Sequence, residues 1–218
     1  MAMNKELIMN YFDELFPDAK CELVYSKDYE LLIAVMLSAQ TTDKSVNKVT
    51  KVLFDKYDTL EKLNSADVED IANIIKPIGT YNKKSIFVKE ISSYLLNECD
   101  GIVPNDKEKL IRIPGVGVKT ANVVLSNLFD YPAIAVDTHV SRVSRRLNLV
   151  KENDLDTKII EKKLEKYFPK DRWSKLHHQM VLFGRYRCKS IKPICNDCKL
   201  INICKYKKKK TLDWFLKS

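Results

Sequence analysis

Apolar residues recur at helical spacing along almost the whole chain, and that period predicts one helix after another. Leu7, Ile8, Tyr11, Phe12, Leu15 and Phe16 keep an i, i+3/i+4 spacing until Pro17 closes the segment. The next helix covers 29–39, with Asp28 placed to cap it; its centre is apolar on every face, so it belongs inside the core. Thr42 or Asp43 caps a third, striped by Val46, Val49, Val52 and Leu53. Further helices fit 59–63, 68–75 and 83–98, the last carrying Ile86, Phe87, Ile91, Tyr94 and Leu95 inward. Later in the chain Asp137 caps a helix through Leu147, another runs over 157–167 before Pro169, and a last one covers 173–186. Residues 132–136 are the one strand candidate and are too short to build a sheet. No repeat of 20–50 residues is present, and the lysine tail is the only low-complexity stretch. The pattern predicts an all-α protein.

One stretch interrupts the periodicity in a way that carries chemistry. Residues 110–125 read LIRIPGVGVKTANVVL. Pro114 ends the first helix, because its ring disfavours the helical conformation at Ile113 and it has no N–H to donate. Gly115 and Gly117 allow positive φ and a close backbone approach in the turn. The helix that follows then opens with unpaired N–H groups beside a turn free of side chains, an arrangement suited to a phosphate. Lys119 falls in its first turn.

Charge narrows the partners. The chain carries a formal +9, distributed unevenly: residues 171–218 hold 13 Lys/Arg against 3 Asp/Glu, and the other 170 hold 25 against 26. The excess at the C-terminal end, including the lysine run 207–210, points to a polyanion, of which nucleic acid is the commonest. Residues 1–10 have no apolar export segment, and the longest apolar run, 31–37, cannot span a bilayer. A cytoplasmic protein without a membrane partner is expected.

Cys21 and Cys99 are isolated and read as incidental thiols. Cys188, Cys195, Cys198 and Cys204 instead follow C-x6-C-x2-C-x5-C. Disulfides are disfavoured where no export signal is present, so four clustered thiols point to a metal. The spacing leaves tetrahedral zinc and an iron–sulfur cluster both open.

Taken together, IPGVGVKTANVV (113–124), an aspartate 18 residues beyond its lysine in AVDTHV (135–140), and the cysteine spacing resemble endonuclease III, a DNA glycosylase family of the helix-hairpin-helix superfamily. LLIAVMLSAQTTDKSVN (31–47) and HHQMVLFGRYRC (177–188) extend the likeness over nearly the whole chain. The resemblance implies a two-lobed helical fold: a six-helix domain over 22–132, with the hairpin at about 106–125, and a second domain joining 1–21 to 133–218. It implies DNA bound across the cleft between the lobes. It also implies a [4Fe-4S] cluster on Cys188, Cys195, Cys198 and Cys204.

The implied reaction is base-excision repair. The partner is double-stranded DNA containing damaged pyrimidines or abasic sites, and the enzyme acts as a monomer. A base inside the duplex cannot be reached, so the nucleotide must be flipped out. Lys119 matches the family's nucleophile: its neutral amine attacks C1′, displaces the base and leaves a Schiff base, from which β-elimination breaks the 3′ phosphodiester. Desolvation and the helix N-terminus are both expected to favour the neutral amine. Asp137 matches the catalytic carboxylate and is equally placed to cap its helix; the roles are compatible, and its charge would stabilise the sugar cation.

Gln40, in LSAQTTD, matches the residue that fills the gap left by the flipped base. Gly115, Val116, Gly117, Thr120, His139, Lys189 and Lys192 complete the implied DNA contacts. In IGTYN this chain has Thr80 where the family usually has a leucine that wedges between bases; unchanged or weaker binding in Thr80→Leu would assign the wedge to another residue such as Ile78. His177 and His178 read as structural.

Adenine glycosylases share the cysteine spacing but lack the lysine and carry a further C-terminal domain, so Lys119 and the 14 residues after Cys204 favour the lyase. A non-catalytic nucleic-acid-binding protein would not need both Lys119 and Asp137. An electron carrier would need neither a hairpin nor a basic tail.

Overall fold

The computed structural model describes residues 2–206, so the lysine run 207–210 lies outside the described residues. Every regular element among them is helical. The 132–136 segment forms no strand, and it buries Ala133, Ile134, Ala135 and Val136. No helix among the described residues is long and apolar enough to cross a membrane. The chain divides into two compact units: Cys21–Tyr131, and Met1–Lys20 joined to Pro132–Ser218.

The unit Cys21–Tyr131 is built around α2 (Asp28–Leu37), in which Tyr29 to Leu37 are all buried. Leu31, Leu32, Ile33 and Leu37 exclude solvent completely. Truncating any one of them to Ala would cost about 2–5 kcal/mol, so this helix fixes the unit. Its N-terminus differs from the sequence expectation. Asp28 is the first helical residue rather than the cap, and Glu30 reaches back so that its Oε2 accepts from the N–H groups of Ser26 (2.7 Å) and Lys27 (3.2 Å).

Around α2 pack α3 (Asp43–Lys56), α4 (Leu60–Ser65), α5 (Val68–Ile75), α6 (Tyr81–Glu98), α7 (Lys107–Arg112) and α8 (Val118–Leu128). Thr59 caps α4, its Oγ1 accepting from Lys62 N–H, where a helix over 59–63 was expected. Thr42, not Asp43, caps α3. Two apolar stripes shift from expectation. On α3, Val52 is exposed and Thr50 is buried in its place. On α6, Ile86 is exposed while Lys84, Ser85, Val88, Ile91, Ser92 and Leu95 face inward. Buried hydroxyls make the α6 face look polar in sequence; Ser92 satisfies its own by donating to Val88 O.

The other unit packs α1 (Ala2–Leu15), α9 (Thr138–Arg146), α10 (Thr157–Tyr167) and α11 (Trp173–Leu182) around Ile8, Phe12, Val140, Val143, Leu164 and Met180. Leu7 turns outward. Arg172 and Gln179 both donate to the Asp13 carboxylate, tying α1 to the α11 region. The last helix does not run to Tyr186. After Leu182 it widens into a π-helical turn, Phe183–Arg187, closed by Cys188 N–H donating to Phe183 O at 2.7 Å.

Candidate active site and cysteine pocket

The hairpin is set by three local devices. Asp106 caps α7, its Oδ1 accepting from Lys109 N–H at 2.8 Å, and Pro114 stops that helix one residue after Ile113. Gly115 then adopts φ +78°, which disfavours any side chain. It also lies against α6: a Cβ there would sit 2.7 Å from Phe87 Cγ. Val116 N–H donates to Ile113 O at 3.0 Å and its side chain is buried. Gly117 does not need positive φ; at −89° it is extended, and nothing lies within 4 Å of a Cβ built there. Its value is open space in front of α8.

The helix α8 starts with no side-chain cap and no acidic residue in its first turn. Its first N–H groups therefore lack helical acceptors and face an unobstructed approach, a geometry that binds an oxyanion. Lys119 projects from that turn and is exposed, and Thr120 is half-buried. The chain does not itself desolvate Lys119; a bound substrate would have to do so.

Two other predicted contacts sit in the same unit on exposed turns. Gln40 follows α2 at φ +56°, and Thr80 precedes α6 at φ +57°. Both are exposed. Thr80 Oγ1 donates to Gly79 O at 2.7 Å. Ile78 is 2% exposed and is spent in the core, so it cannot substitute for Thr80 at a base stack.

In the other unit Asp137 caps α9, its Oδ1 accepting from Val140 N–H at 2.8 Å. The second oxygen is left to a ligand or solvent. One turn on, Arg142 Nη2 lies 3.1 Å from His139 Nδ1 and donates to Gly184 O at 2.7 Å. Arginine only donates, so Nδ1 accepts and the neutral imidazole carries its proton on Nε2. Burial pushes the His139 imidazole below the usual histidine value; Asp137 opposes that, and Arg142 and Arg185 add to it. Gly184 is required here, since a Cβ would lie 2.9 Å from His139 Cβ.

The four predicted cysteines line one pocket, walled by Leu147, Phe183, Pro193 and Ile194 with Arg146 at its edge. Among the described residues no group of three or more His, Cys, Asp or Glu closes to a single-ion site. Arg146 Nη1 approaches Cys188 Sγ at 3.3 Å and also donates to the carbonyls of Cys188 and Lys189. Burial is the main influence on the Cys188 thiol and raises it, while Arg146 pulls it back. Lys189 and Lys192 stand exposed on this loop, Lys192 at φ +50°.

The HhH-GPD superfamily base excision DNA repair protein model matches residues 33–170. Endonuclease III of Bacillus subtilis (strain 168) is 44% identical over 200 residues, covering 92% of this chain and 91% of the relative. The chain belongs to the endonuclease III family of base excision DNA repair proteins. Among solved structures it resembles a non-covalent endonuclease III–DNA complex, at 44% identity and a TM-score of 0.92, covering 97% of this chain and 98% of that one. A trapped endonuclease III–DNA covalent intermediate, in an estranged-adenine complex, matches at 46% identity and a TM-score of 0.89, covering 95% and 98%.

Within this endonuclease III fold, α6 links two of the predicted elements, since Phe87 backs Gly115 and Thr80 stands at the helix's own N-terminus. Helix α9 links the others: it begins at Asp137, carries His139, and holds the cysteine loop through Arg142 and Arg146. Phe87 was legible only as an apolar helix position. Arg142 and Arg146 were not singled out at all; two arginines at i, i+4 on a helix with buried valines were the available signal.

Proposed function

We propose that the chain removes oxidised pyrimidines from duplex DNA and then cleaves the strand at the resulting abasic site. The observation that carries this reading is the exposed Lys119 in the first turn of α8, at a helix N-terminus open to a phosphate. A phosphate held by those N–H groups brings the sugar of the flipped nucleotide to the lysine. The neutral amine attacks C1′; the C1′–N bond breaks and its electrons leave with the base. The C1′–O4′ bond of the resulting aminal then opens as the nitrogen loses its proton, giving an imine and a 4′ hydroxyl; the imine acidifies the C2′ proton, and loss of that proton expels the 3′ phosphate by β-elimination. Asp137 supports the first step, because an ionised carboxylate stabilises positive charge on the sugar. Gln40 fills the space the base leaves, Thr80 stands at the wedge between bases of the opposite strand, and Thr120, His139, Lys189 and Lys192 contact the DNA.

The donor set fits a [4Fe-4S] group: four thiols line one pocket with apolar walls and a guanidinium beside one sulfur, as an anionic thiolate-ligated centre requires. Cys188, Cys195, Cys198 and Cys204 would hold it, and when bound it supplies a four-point anchor for the loop bearing Lys189 and Lys192. The enzyme acts as a monomer in the cytoplasm, associated with the nucleoid through DNA. The test is a duplex with one thymine glycol: released base and a strand break ending in an unsaturated 3′ aldehyde are expected. An intact strand with the base retained would overturn the reading.

A further inference from the structure

Lys84 is a buried cation whose position no catalytic or structural role described so far explains. It is 4% exposed on the first turn of α6, and no carboxylate among the described residues pairs with it. Burial holds its ammonium below the usual lysine value. A charge in such a place is costly unless its partners repay it. Its partners are Ala39 O at 2.8 Å and Thr41 Oγ1 at 3.1 Å, the groups on either side of Gln40. The same residue's N–H donates to Thr80 O at 3.0 Å. That last bond is the ordinary helical bond at the start of α6, so it is the ammonium that ties the helix following Thr80, at φ +57°, to the turn carrying Gln40, at +56°.

Neither partner needs the ammonium for its own sake. Ala39 O also accepts from Thr41 Oγ1 at 3.3 Å, so both groups keep a partner if the lysine is absent. An apolar side chain of equal length would fill the same space without the desolvation cost. What the ammonium adds is a fixed separation between the Gln40 turn and the N-terminus of α6.

We propose that Lys84 is a positioning residue that locks the Gln40 and Thr80 turns into one rigid element, so that both enter the duplex together when a nucleotide is extruded. The inference rests on the glycosylase reading above. Loosening the two turns lowers the rate where a base must be pushed out of a paired helix, and not where no base is in place.

The experiment uses the full-length holoenzyme carrying Lys84→Met, with single-turnover cleavage measured on two probes: a thymine glycol in a duplex, and an abasic site in a single strand. The expected result is a fall of about tenfold to a hundredfold in the ratio of duplex to single-strand rate, as for other misplacements on the order of 1 Å. Fluorescence of a 2-aminopurine beside the lesion reports extrusion and should fall with that ratio. In a Gln40→Ala background, Lys84→Met should change the ratio less than about twofold, because its effect passes through Gln40. A ratio within about twofold of wild type, or additive effects of the two substitutions, would overturn the proposal. Wild-type protein inactive on both probes would instead overturn the glycosylase reading.

Discussion

Gly115 and Gly117 stand two residues apart in one hairpin, yet the structure assigns them opposite sensitivities. Gly115→Ala must hold a side chain at φ +78°, which costs about 1–2 kcal/mol. Its Cβ would also lie 2.7 Å from Phe87 Cγ and 3.1 Å from Phe87 Cβ. Those atoms are the root of the ring, so relief requires moving α6, an overpacking cost of about 1–3 kcal/mol. The sum is about 2–5 kcal/mol, which for a chain of this size lowers the melting temperature by an amount on the order of 10 °C. Gly117→Ala meets nothing within 4 Å and sits at φ −89°, so it should leave the melting temperature unchanged or raise it slightly. Its methyl group does stand before the first N–H groups of α8, so binding to an abasic-analogue duplex should weaken. Thermal unfolding by circular dichroism and anisotropy on a labelled duplex would read both effects. A Gly115→Ala protein melting within about 2 °C of wild type would refute the contact with Phe87 as the basis of the turn.

Asp137→Asn preserves an N-cap oxygen, so the protein should fold and bind while base release falls by about two to three orders of magnitude, measured in single-turnover assays. Thr80→Leu adds one or two methylenes at the exposed turn and should tighten binding to a lesion duplex by about 1 kcal/mol, read by anisotropy titration. His139 links stability to pH. Its folded value lies below the ordinary 6.5, so as pH falls through that window the unfolded chain takes up the proton first and stability drops. Its contribution is complete above about pH 6.5. His139→Gln should therefore show a smaller loss of melting temperature between pH 7.5 and pH 5 than wild type.

The parts of the molecule legible in sequence are those where one residue type has one physical use. The all-apolar run 31–37 could only be a core helix, and Pro114 with Gly115 could only be a break. Asp137 was legible as a cap because an aspartate before an amphipathic run has a strong local preference. What escaped was set by tertiary contact. Lys84 and Ser92 occupy the buried face of α6 because Ala39 O and Val88 O accept from them, and no period of apolar residues reveals that. The π-helical turn at Phe183–Arg187 reads as ordinary helix in sequence, because its apolar spacing does not distinguish the two.

Borohydride trapping tests whether Lys119 is the nucleophile. Reduction turns an imine between enzyme and sugar into a stable amine, so wild-type protein, lesion duplex and borohydride should give a covalent protein–DNA adduct. Lys119→Gln keeps a side chain of similar reach at the exposed first turn of α8 but has no amine to attack C1′. It should bind the duplex and trap none of it. Trapping by Lys119→Gln at the wild-type rate would place the nucleophile elsewhere and contradict the account.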